Sequence, residues 1–339
     1  MKVTNVFLVI SSIVCIALNG CSKDNVNLKP NVYVVGYENN KEGVSVAKLW
    51  VNGSPHNLTD GIYGSIAYSV FVEGDNVYVA GFEWDEQYRK IAKLWKNGEA
   101  QNLTPGTPNT SASFNSVCVS GNDIYVVGEQ SGDGKRHVAK LWKNGIAQDL
   151  TDGVNSAYPF SVYVSGSDVY VAGLEYNGQN AFAVLWKNGV SQNLTDGTSF
   201  AEARSVYVSG SDVYVGGREN NIAVLWKNGV KQNNDETHSS EIHSVFGTGN
   251  DVYATGVELT GKYSTILWKN LEKQNLSNAS LWAIGYAVYV WDNNVYVAGT
   301  GINTENSIHT VAKLWHNGVQ QDLTDGTHEA AAYSVFVVK

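Results

Sequence analysis

One phrase recurs along this chain and sets what it can fold into: a short apolar run ending in Leu-Trp, followed in most copies by Lys-Asn-Gly. The tryptophans are Trp50, Trp95, Trp142, Trp186, Trp226, Trp268 and Trp315, spaced 40 to 47 residues apart. A unit of that length cannot bury its apolar faces alone and must stack on its neighbours. One unit reads as four strands, at residues 161–164, 169–172, 182–186 and 192–195. They are rich in β-branched and aromatic residues and bounded by Gly, Asn and Asp. Their near-continuous apolarity suits sheets packed on both faces. Four strands per unit at this period predict an all-β, seven-bladed β-propeller with four antiparallel strands per blade. A length of 339 residues would otherwise suggest two domains.

The two ends predict how the ring closes. The first repeat begins at its second strand, Val32-Tyr33-Val34-Val35, and lacks a first one. The last residues, Ser334-Val335-Phe336-Val337, are a first strand with no blade after it. Pairing the two completes the first blade and removes two open sheet edges. A ring closed in this way is expected to be monomeric.

Val77-Tyr78-Val79-Ala80-Gly81 and its equivalents resemble YVTN-type propeller repeats, and Ala92-Lys93-Leu94-Trp95-Lys96-Asn97-Gly98 is similar to the Trp-ending strand of WD-type repeats. The Gly-His and Trp-Asp pairs of WD repeats are absent. The resemblance covers residues 31–339 and implies architecture, not activity.

The N-terminus differs. Lys2 and an apolar run from Val6 to Leu18 read as a secretory signal too short to span a membrane. Leu18, Gly20 and Cys21 resemble the lipobox of bacterial lipoproteins, which implies lipidation of Cys21. Cys21-Ser22-Lys23-Asp24 is similar to the surface-export signal of Bacteroidota lipoproteins. The expected organisation is a signal peptide at 1–20, a lipidated cysteine and tether at 21–30, and the propeller at 31–339. The expected location is the bacterial outer membrane, with the protein lipid-anchored at the cell surface. Cleavage removes Lys2, taking the formal net charge from −9 to −10. An acidic chain with no basic run is a poor partner for nucleic acid, whose phosphates require Lys and Arg. After cleavage Cys21 and Cys118 remain, so no internal disulfide framework is expected. Cys118 replaces Tyr or Phe in a repeated strand and reads as core.

The loops sort into two faces. The connection from first to second strand spans eight residues wherever it occurs, as from Ser69 to Val77. The connection from third to fourth strand, as from Trp50 to Leu58, is also eight in all seven repeats. This plain face reads as scaffold. On the other face, the residues between the second-strand Gly and the third-strand Leu number 12, 12, 12, 11, 7, 10 and 14. Function on rigid repeat scaffolds tends to sit on such variable loops. Asn31 falls on the plain side, so a tether of residues 22–30, at most about 30 Å long, would leave the variable face pointing away from the membrane.

Three residue sets are candidates for chemistry. Glu38, Glu83, Glu175, Glu219 and Glu258 occupy one repeat position; they read either as a cation or sugar-hydroxyl ring or, preferably, as structural hairpin residues. Tyr68, Asn115, Phe160, Arg204, His243, Tyr286 and Tyr333 stand just before the first strand at the channel mouth. That set suits a sugar, peptide or small polar ligand, or packing that plugs the channel. Trp84 and Trp282 break the repeat in variable-face loops, as stacking platforms or loop anchors. No motif asks for a metal or a cofactor, and no catalytic constellation stands out. The expected function is a non-enzymatic binding protein presenting the variable face to a glycan or protein. A component of an envelope assembly is the alternative, and an enzyme with a site in the funnel is a third reading.

Overall fold

A computed structural model describes residues 29–103, 111–131, 136–232, 238–277 and 281–339. Among them, 28 strands form seven four-stranded antiparallel sheets. The second blade runs outward from the axis as β4 (Ser65–Glu73), β5 (Asn76–Trp84), β6 (Lys90–Lys96) and β7 (Glu99–Asn102). The next five blades begin on β8 (Ser111–Ser120), β12 (Ala157–Ser165), β16 (Ala201–Ser209), β20 (Ser239–Thr248) and β24 (Ala283–Trp291). The first blade takes its inner strand from the far end of the chain: β28 (Ala330–Val338) pairs with β1 (Asn31–Asn39), followed by β2 (Ser45–Val51) and β3 (Ser54–Asn57). The molecule is a seven-bladed β-propeller closed as its sequence predicts.

The core lies in the seams between blades. Seven apolar clusters each join two neighbouring blades; the closing one sets Tyr296, Ala298 and Leu314 against Val34, Trp50 and Val335. Six of the seven repeat tryptophans are fully buried in these seams, and Trp268 nearly so. Truncating one would cost about 3–5 kcal/mol, which is why the Leu-Trp phrase survives in every blade.

The constant spacing of the plain face has a hydrogen-bonding cause. Seven asparagines, from Asn52 to Asn317, open the turn after the third strand at φ of 49° to 52°. Each Oδ1 accepts the N–H that opens the second strand of the same blade, as from Val77 to Asn97 at 2.8 Å. A longer turn on either side would pull donor and acceptor apart.

Candidate functional site: a funnel built from seven bulges

Each innermost strand breaks its ladder at one place. In the second blade Ala67 pairs with Gly81 and Ser69 with Ala80, leaving Tyr68 unpaired. The same break isolates Asn115, Phe160, Arg204, His243, Tyr286 and Tyr333. A bulge takes one residue out of the alternation and re-aims its side chain. These residues therefore lie inside the strand, which starts three or four residues before them, and not ahead of it as their sequence suggests. Opposite each bulge stands a glycine. A Cβ on Gly81 would lie 2.0 Å from the Ile66 carbonyl oxygen, and the equivalent clash recurs at 1.9–2.3 Å in the other six blades. The repeated second-strand glycine is the residue this close approach demands.

The seven side chains meet around the axis. Tyr333 packs on Tyr286 and Tyr68, with ring centroids 4.9 and 5.3 Å apart, and Tyr37 stacks on it from β1 at 6.1 Å. Burial pushes the Tyr68 and Tyr286 phenols up to about 12 and raises Tyr333 further. All three are neutral hydroxyls, and none has a hydrogen-bond partner among the described residues. His243 stacks on Tyr286 at 5.4 Å, with Nδ1 2.7 Å from the Gly285 carbonyl oxygen. Arg204 lies over Phe160 at 4.8 Å. Asn115 donates to the Pro159 carbonyl at 2.8 Å and to Glu129 at 2.9 Å.

Toward the plain end a second ring lines the channel. Tyr163, Tyr207, Phe246, Tyr289, Phe336 and Phe71 follow one another at 4.5–5.1 Å, and Cys118 fills the seventh place, between Phe71 and Tyr163. Cys118 is free and buried, and burial pushes its thiol up to about 11. It stays a thiol near neutral pH and is a poor nucleophile.

Between the fifth and sixth blades lies a charged wall that sequence reading missed. Glu202 sits 3.0 Å from Arg204 and 2.7 Å from Arg218; Glu241 sits 2.9 Å from Arg204, 3.4 Å from Arg218 and 3.4 Å from His243. Burial raises Glu202 above the usual carboxylate range, with Arg204 opposing and Glu241 reinforcing the shift. Burial also works against Glu241, but His243 and the two arginines hold it down to about 2. The signal was present in the repeat: the matching positions in the other blades are Ile66, Ser113, Tyr158, Ile284 and Ala331.

The five repeat glutamates lie on the second strands and reach sideways. Lys48, Lys93, Lys231 and Lys273 pair with Glu38, Glu83, Glu219 and Glu258 at 2.7–3.1 Å. Glu175 has no basic partner among the described residues, and burial together with Asp152 raises it. Among the described residues no group of three His, Cys, Asp or Glu is placed to hold a metal ion. Trp84 ends β5, edge-on to Phe82 at 5.6 Å. Trp282 precedes β24, half-buried, and stacks on no described ring; its carbonyl accepts the Ile302 N–H at 3.0 Å. Cys21 lies outside the described residues.

Fold and funnel together define a seven-bladed propeller with a polar-aromatic mouth on its variable face. No protein-family model matches the chain, and no curated protein does. Among solved structures it is similar to a puromycin-hydrolyzing peptidase of Mycobacterium tuberculosis, at 11% identity and a TM-score of 0.60, over 86% of this chain and 53% of that one. The chain thus spans about half the length of that structure, and the likeness is one of fold alone.

Proposed function

We propose that the chain is a non-enzymatic binding protein whose funnel takes a glycan, held by a lipid on Cys21 at the surface of a bacterial outer membrane. The observation that carries the reading is the convergence of seven bulge-presented side chains, with three tyrosine hydroxyls lacking partners among the described residues. Aromatic faces beside open hydroxyls suit a ligand with both an apolar face and hydroxyl groups. The lipobox-like run ending at Cys21 supports the anchor. A glycan-array screen of the full chain tests the ligand class. Fatty-acid labelling of wild type against Cys21→Ser tests the anchor, and equal labelling of both would rule it out.

Two other readings each have one supporting observation. Ile146, Val190 and Val230 stand 76%, 72% and 64% exposed on three consecutive blades, just past the plain-face turns; such a row favours an assembly component docking by its rim. Glu202 and Glu241 are neighbouring carboxylates pushed in opposite directions, an arrangement acid–base enzymes use. Their burial behind Arg204 and Arg218 weighs against contact with a substrate.

A further inference from the structure

The aromatic wall continues beyond the funnel. From Tyr68 a chain of ring contacts runs beneath the surface through Phe82, 2% exposed, at 5.9 Å and on to Trp84 at 5.6 Å. There it meets a cleft of about 370 Å³, lined by Asp60, Tyr63, Trp84, Glu86, Lys93 and Asn102, among others. That volume falls within the roughly 300–1,000 Å³ of small-molecule sites. The cleft lies between the connection entering β4 and the loop from β5 to β6, on the same face as the funnel mouth. The Lys90 ammonium lies over both Phe82 and Trp84, at 4.6 and 5.6 Å.

The lining mixes donors, acceptors and ring faces. Tyr63 is exposed. The Trp84 indole N–H has no acceptor among the described residues. Asp60 takes the Ile62 N–H on Oδ1 at 2.9 Å, which leaves Oδ2 for a ligand. Lys93 is held by Glu83 at 2.9 Å, with its other protons available. A sugar ring has an apolar C–H face and hydroxyls that both donate and accept, so it would use every one of these groups. A basic side chain would use the carboxylates and leave Lys93 and the indole N–H idle.

We propose that the Trp84 cleft is a second saccharide subsite, occupied by a later residue of the same chain whose end enters the funnel. The protein then reads an oligosaccharide and not a single sugar. This rests on the glycan reading of the funnel.

The test is titration calorimetry of the full chain with oligomers of one to four residues of glucose, N-acetylglucosamine and glucuronic acid. In wild type, affinity for at least one series climbs with length. In Trp84→Ala the climb disappears: the tetramer weakens roughly thirtyfold, the scale of a truncated aromatic anchor, while the monosaccharide is unchanged. Trp84→Phe keeps a ring and recovers most of the loss. Equal weakening of monomer and tetramer in Trp84→Ala, or none for either, overturns the subsite. Loss at every length in Tyr333→Phe with none in Trp84→Ala overturns the subsite and leaves the funnel reading standing. Failure of all three series to bind wild type removes the funnel reading and the subsite with it.

Discussion

Arg204 and Glu241 meet across the seam between the fifth and sixth blades at 2.9 Å, Nε to Oε1, yet neither atom is aligned for a hydrogen bond. The pair is held by charge, with Glu202 and Arg218 completing the group. Arg204→Ala leaves two largely buried carboxylates with one guanidinium. Removing one partner of a buried pair costs about 3–5 kcal/mol. Because Arg218 remains, about 2–3 kcal/mol is expected here, read as a lower urea midpoint at unchanged slope.

The same group predicts an acid signature. Glu241 has a folded value below its ordinary 4.5, so its contribution is present above that pH and is lost as pH falls toward about 2. Glu202 is raised, so its charge opposes folding above its folded value, and acidification relieves that penalty. Glu241→Gln should therefore flatten the loss of stability between about pH 4.5 and 2, whereas Glu202→Gln should leave it in place. Urea midpoints across that range, as differences from wild type, check both signs.

Gly81 faces the bulge that presents Tyr68, with no room for a Cβ. Gly81→Ala must move the Ile66 carbonyl or flatten the bulge, at a cost of about 3 kcal/mol. A loss under about 1 kcal/mol in urea would mean that the bulge does not need its glycine.

The ring of blades is stitched by serine hydroxyls, and one stitch is missing. Ser334, Ser69, Ser116, Ser161, Ser205 and Ser244 each accept the N–H of a valine in the next blade, at 3.0–3.3 Å. The seventh place is Ala287, facing Val335 at the closing seam. Ala287→Ser should complete the ring and add about 1 kcal/mol, measured by thermal or urea unfolding. Deleting residues 334–339 opens the same seam and exposes the edge of β1. That variant should lose cooperative unfolding or aggregate, and an unchanged melting curve would contradict closure by β28.

The blade count, the closure and the two faces were legible because each recurs seven times or is fixed by the two ends. The funnel set was legible by position, but its mechanism was not: one unpaired residue disturbs a two-residue alternation too little to mark a bulge. Glu202, Glu241, Arg218 and Glu129 carry no loop or motif signal, because they sit inside strands. The comparison that finds them sets each strand position against its six repeats, where Glu202 stands opposite Ile66 and Ala331. The lysine partners of the repeat glutamates come from third and fourth strands whose register only the folded sheet reveals.

The central claim, that the funnel on the variable face binds a glycan, is tested most directly by affinity. The strongest array ligand is titrated into wild type, Tyr333→Phe, Tyr286→Phe and the plain-face variant Asp75→Ala. Losing one hydroxyl donor costs about 1–1.5 kcal/mol, roughly tenfold. Both tyrosine variants should therefore weaken binding about tenfold with unchanged melting curves, and Asp75→Ala should match wild type. If Asp75→Ala alone weakens binding, the ligand sits on the plain face and the account is wrong.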